Sequence, residues 1–91
     1  MNLEQKPSFQ RAYKRLHKTQ RTQVDQAIRS LMADPLLGET KVGNLAGIRV
    51  HKFKMNKQVT LLAYTYEDDT VTLTLLTLGT HENFYRDLKR K

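Results

Sequence analysis

The stretch Leu78–Tyr85 crowds a histidine, a glutamate, an amide and two aromatics around Gly79. His81 falls in the first turn of a helix expected to begin after Thr80. The positive end of a helix disfavours imidazolium, so this ring is expected to be neutral near pH 7, the form a general base needs. Phe84 and Tyr85 follow at i+3 and i+4 and can share His81's side of the helix. An imidazole beside aromatics and a basic tail (Arg86, Lys89, Arg90) could stack a base and move a proton beside a phosphate. The plainer alternative is a helix-start histidine with no role, and Phe84 suits a core better than a site.

Lys52-Phe53-Lys54 is the second candidate. Side chains alternate across a strand, so if Phe53 and Met55 point to the core, Lys52 and Lys54 stand side by side on the other face. Two adjacent ammonium groups suit a polyanion. They also suit an edge strand that lysine protects from aggregation. Ile48 and Val50 share the lysine parity, so either a bulge intervenes or that face turns apolar near the strand's start. His51 shares the parity of Phe53 unless such a bulge turns it outward. His17 reads as a helix end, where a cation suits the dipole. Glu67, Asp68 and Asp69 read as turn residues rather than a carboxylate pair. There is no cysteine, no HxxxH or HExxH spacing and no Gly-rich phosphate loop, so neither metal nor cofactor is expected.

The elements that must hold these residues follow from periodicity. Residues 2–6 suggest a short strand. Pro7 and Ser8 open a helix whose apolar stripe is Phe9, Ala12, Tyr13 and Leu16. Thr19 is the expected N-cap of a second helix, with the stripe Val24, Ala27, Ile28, Leu31 and Met32, stopped at Asp34-Pro35. Residues 35–47 read as a loop with a short extended piece. Segments 48–55, 58–67 and 70–78 then follow a period of two, with tight connections at Asn56-Lys57 and Asp68-Asp69. The middle segment is apolar on both parities, as a strand covered on both sides would be. The last helix runs from His81 to about Lys89. The predicted order is β-α-α-β-β-β-α: an α+β domain with helices on one face of a small antiparallel sheet, in which a three-stranded meander is joined by the N-terminal strand.

Ninety-one residues suit one domain spanning 1–91. Sixteen Lys and Arg stand against nine Asp and Glu, for a net charge of +7. The excess is clustered. Lys6, Arg11, Lys14, Arg15, Lys18 and Arg21 lie in one acid-free run, and Lys41, Arg49, Lys52, Lys54 and Lys57 in another. Such clustering points to a polyanionic partner, nucleic acid first. The N-terminus has no secretory h-region and no apolar run reaches the ~20 residues of a membrane span, so a cytoplasmic protein without a membrane partner is expected.

The element order, the basic charge and the segments "LAGIRVHKFKM", "LLAYTY" and "LLTLGTHENFYRDLKR" resemble the RelE/ParE superfamily of toxins from bacterial type II toxin–antitoxin systems. The resemblance covers nearly the whole chain and is strongest from Gly43 onward. It implies a ribosome-dependent mRNA interferase, an endoribonuclease that needs no metal, held in check by an antitoxin with an acidic neutralising segment. In the YafQ-like branch a histidine at this place is catalytic, which carries onto His81, and the following aromatic matches Phe84. The RelE-like branch implies that Lys52 and Lys54 line the RNA groove and that Tyr85 assists catalysis. Arg49, Lys57, Phe84, Arg86, Lys89 and Arg90 would contact RNA. An arginine of that branch falls at Leu61 or a close neighbour, and another where this chain has His81. The superfamily's other branch implies an inhibitor of DNA gyrase without nuclease activity, and a non-catalytic RNA-binding module is the third alternative.

Overall fold

The computed structural model describes residues 1–80 together with Phe84, Tyr85 and Leu88. Its elements are β1 (Asn2–Gln5), α1 (Pro7–Lys14), α2 (Lys18–Ala33), β2 (Glu39–Thr40), a 3-10 turn (Gly43–Leu45), β3 (Arg49–Met55), β4 (Gln58–Glu67) and β5 (Thr72–Gly79). The strands form one open sheet in the order β1-β5-β4-β3-β2. The expected meander β3-β4-β5 is antiparallel. β1 joins it beside β5 but runs parallel, pairing Asn2 with Thr72 and Gln5 with Leu75, so the sheet is mixed rather than purely antiparallel. The parallel direction follows from connectivity, because the helical hairpin carries the chain back over the sheet between β1 and the meander.

Pro7 occupies the first turn of α1, where its missing N–H costs nothing. The stripe of α1 packs as predicted: Phe9 is buried, and Ala12, Tyr13 and Leu16 lie against the same cluster. The N-cap of α2 is His17, not the expected Thr19, which lies within the first turn. The side-chain carbonyl of Gln20 accepts the His17 N–H at 2.9 Å, tying down the helix start. His17 therefore opens α2 rather than closing α1, and stands at the positive end of a helix, where a cation is disfavoured. Val24, Ala27, Ile28 and Leu31 are buried, but Met32 is 38% exposed and lies outside the core. Asp34 departs from helical geometry ahead of Pro35, as expected.

Two cores sandwich the sheet. On one face α1 and α2 bury Phe9, Val24, Ile28 and Leu31 against Met55, Leu62, Tyr64, Leu73, Leu75 and Leu78. On the other, Val50, Leu61, Ala63 and Leu76 pack with Phe84 and Leu88. The C-terminal segment thus covers the face opposite the hairpin, correcting the expectation of helices on one side. Phe84, Tyr85 and Leu88 are helical, and the Phe84 N–H donates to Thr80 O at 3.0 Å. The rest of the predicted helix lies outside the described residues, with His81, Arg86, Lys89 and Arg90 in it.

β3 runs against β4 without a break in register, so no bulge is needed there; its outer face simply becomes apolar at Val50. The irregularity falls instead between β4 and β5, where Ala63 pairs with Thr77 but Tyr64 pairs with Leu75. Leu76 is the extra residue. That bulge lets Leu75 and Leu78 face the helices although they are three apart. Asn56 and Lys57 both have positive φ, 52° and 68°, as a two-residue hairpin turn demands. The second connection is longer than Asp68-Asp69 alone: it spans residues 68–71, closes through Val71 N–H to Asp68 O at 3.3 Å, and carries Val71 at φ 51°.

Candidate nucleic-acid interface

Lys52 and Lys54 are exposed on β3, on the face that Phe84 and Leu88 cover further along. Their alternation with His51, Phe53 and Met55 is the one read from the sequence. Register extends the row: Lys52 pairs with Leu61 on β4, and Leu61 pairs with Gly79 at the end of β5. Adjacent strands lie ~4.8 Å apart, so the Lys52 and Gly79 backbones stand about 10 Å from one another. Thr80 and then His81 follow Gly79 directly. The row therefore runs from the lysine pair to the foot of the C-terminal segment. Leu61, in its middle, is 1% exposed and belongs to the second core. Among the described residues no cation occupies the centre of the row. Glu39, paired with Val50, brings a carboxylate to the same face.

Tyr85 is half-buried on this face and meets Phe84 edge to face, with ring centroids 5.0 Å apart and planes at 89°. Phe84 itself is 1% exposed. Its ring anchors the segment to the sheet instead of presenting a stacking surface. Lys41 reaches in from the loop after β2, its Nζ 5.8 Å from the Tyr85 ring centroid. Sequence reasoning counted Lys41 in an acid-free run but gave it no role. Only its position at the head of that run pointed toward the site.

The structure separates other candidates from this row. Arg49 has the opposite parity to Lys52, and its guanidinium donates to Leu36 O at 3.2 Å and Gly38 O at 2.9 Å. It braces the 35–38 turn rather than joining the lysine pair. Lys57 is exposed at the tip of the β3-β4 hairpin, three residues beyond Lys54. That tip is fixed to α2 by Gln23, whose side-chain oxygen accepts the Asn56 N–H at 2.8 Å and whose amide donates to Asn56 Oδ1 at 3.2 Å. His51 faces the helices, stacked on Phe53 at 5.8 Å, and burial pushes its pKa below the ordinary 6.5. It stands across the sheet from Lys52. No group of three His, Cys, Asp or Glu side chains among the described residues is arranged to hold a metal.

Residues 3–89 match the family of ParE-like toxins of type II bacterial toxin–antitoxin systems. The chain belongs to this family. Solved structures give the same fold for this ParE-like toxin. The YoeB/ParE toxin from Agrobacterium tumefaciens superposes with a TM-score of 0.74 at 18% identity, covering 89% of this chain and 99% of that one. A mutant of the E. coli toxin RelE in the free state gives 0.73 at 20% identity, covering 98% and 95%. A chain of the intact E. coli RelBE toxin–antitoxin complex gives 0.71 at 18% identity, covering 89% and 96%. No curated protein matches in sequence. Among the described residues no helix of the toxin is long and apolar enough to cross a membrane.

Proposed function

We propose that this ParE-like toxin is an endoribonuclease that cleaves mRNA on the ribosome and so inhibits translation. The observation that carries this reading is the row from Lys52 and Lys54 across Leu61 to Gly79, with Tyr85 and Lys41 on the same face. In such a reaction the RNA 2′-hydroxyl attacks the adjacent phosphate and the 5′-oxygen leaves. One group must take the first proton, another must protonate the leaving oxygen, and cations must offset the charge that develops on phosphorus. Lys52 and Lys54 serve as those cations and as docking points. His81 serves as base or acid. Tyr85 stacks on a base or assists proton transfer, and Arg86, Lys89 and Arg90 bind backbone phosphates. The ribosomal A site supplies orientation, which accounts for much of the acceleration. The partner is a cognate antitoxin whose acidic segment covers the basic face, consistent with the antitoxin-bound state of the E. coli RelBE neighbour.

A defined message in a purified translation system tests this. Wild type should cut at codon-positioned sites. His81→Ala should slow cleavage by roughly 10²- to 10⁴-fold, the usual contribution of a positioned acid or base. Intact message with wild-type toxin would sink the reading. One observation favours the second reading, inhibition of DNA gyrase: the centre of the row is taken by the buried, apolar Leu61. Gyrase-dependent DNA breaks together with intact message would establish it.

A further inference from the structure

Lys41 is outside the reaction just described, yet its position is strongly determined. Its backbone N–H donates to Ile48 O at 3.1 Å, carrying the β2-β3 pairing one residue further. Ile48 and Leu45, from the same loop, pack with Tyr85 against the second core. From this pinned main chain the Lys41 ammonium lies 5.8 Å from the Tyr85 ring centroid, within cation–π range. Phe84 meets the same ring edge-on. Tyr85 is therefore met both by a buried ring of its own segment and by a cation from a distant loop. We infer that Lys41 is a positioning residue, whose ammonium holds the Tyr85 ring in the orientation that meets RNA. The inference rests on the RNA-binding reading of this face.

The test is a double-mutant cycle on binding of a short fluorescein-labelled single-stranded RNA, followed by anisotropy, with message cleavage assayed in parallel. Lys41→Met keeps the aliphatic stem and removes the charge. It should weaken binding ~2- to 5-fold, the scale of an exposed cation–π contact, and Lys41→Arg should restore it. In a Tyr85→Leu background the Lys41→Met effect should largely vanish. Full additivity overturns the inference, because Lys41 would then touch RNA independently of Tyr85. An unchanged Lys41→Met protein overturns it too. Wild-type NMR gives a check that needs no variant to fold: the Lys41 ε-protons should be shifted upfield by the ring, and an ordinary shift overturns the contact. Intact message with a non-additive cycle defeats the ribonuclease reading and leaves Lys41's role standing. Cleaved message with an additive cycle does the reverse.

Discussion

Tyr64 ties the loop before the sheet to the sheet's centre. It is fully buried, its hydroxyl donates to Pro35 O at 2.7 Å and accepts the Gly38 N–H at 2.8 Å. Burial raises its pKa, with the Gly38 N–H opposing the shift, so the hydroxyl keeps its proton. Tyr64→Phe leaves the Gly38 N–H buried without a partner and should cost about 1–3 kcal/mol in urea denaturation. A Cβ at Gly38 would lie 2.7 Å from the Tyr64 hydroxyl, so Gly38→Ala should cost a similar amount, about 1–3 kcal/mol, by overpacking. His51 gives a pH-dependent counterpart. Its folded-state pKa is below 6.5, so the unfolded chain binds more protons as pH falls through that value, and stability drops with it. His51→Phe should flatten the decline in Tm between about pH 7 and pH 5. The sequence offered two orientations for His51, and only the unbroken β3 register chose between them. Gly38 carried no signal, since a close approach by a tyrosine 26 residues later is invisible to local pattern.

At the scale of elements, period alone located most of the architecture. The ranges of β3 and β4 and the stripes of both helices were legible because each buries one face. What escaped depends on pairing between distant strands. The Leu75-Leu76 doublet interrupts an otherwise regular Thr/Leu alternation, and its meaning as a bulge appears only once β4 lies alongside. Likewise, periodicity placed a last helix but not the side of the sheet it covers. The hairpin Asn56-Lys57 carries a local backbone cost. Lys57 holds a left-handed conformation at φ 68° that glycine adopts without steric cost. Lys57→Gly should stabilise the fold by about 0.5 kcal/mol, since relief of the left-handed strain exceeds glycine's extra chain entropy. If the exposed Lys57 side chain contacts RNA, as expected from the sequence, the same change should weaken RNA binding. Thermal melts and anisotropy on one sample test whether the two effects carry opposite signs.

The molecule as a whole is a two-faced sheet with a net charge of +7. One face is closed by the helical hairpin, and the other is partly covered by the C-terminal segment and leaves Lys52 and Lys54 exposed. On the proposed function, binding to single-stranded RNA should fall steeply with salt. Lys52→Ala with Lys54→Ala should reduce the slope of log K against log salt by roughly 1.4, two phosphate contacts' worth, with melting temperature nearly unchanged. An unchanged slope would remove the pair from the interface. Charge clustering made this surface legible early. Its precise membership was not, because Arg49 and Lys41 lie in the same run and only the fold sends one to brace a turn and the other to an aromatic ring.

The parallel pairing of β1 with β5 sets the order in which the toxin can become itself. Asn2–Gln5 and Thr72–Leu75 pair although some seventy residues separate them. Until β5 emerges, β1 has no strand to join, and the row ending at Gly79 does not exist. Long-range pairings such as this one close late in folding, because their loop entropy must be met before the contacts form. Should β1 fail to dock, β5 becomes a bare, apolar edge open to other chains. The strand that completes the sheet thus also guards the toxin against aggregation.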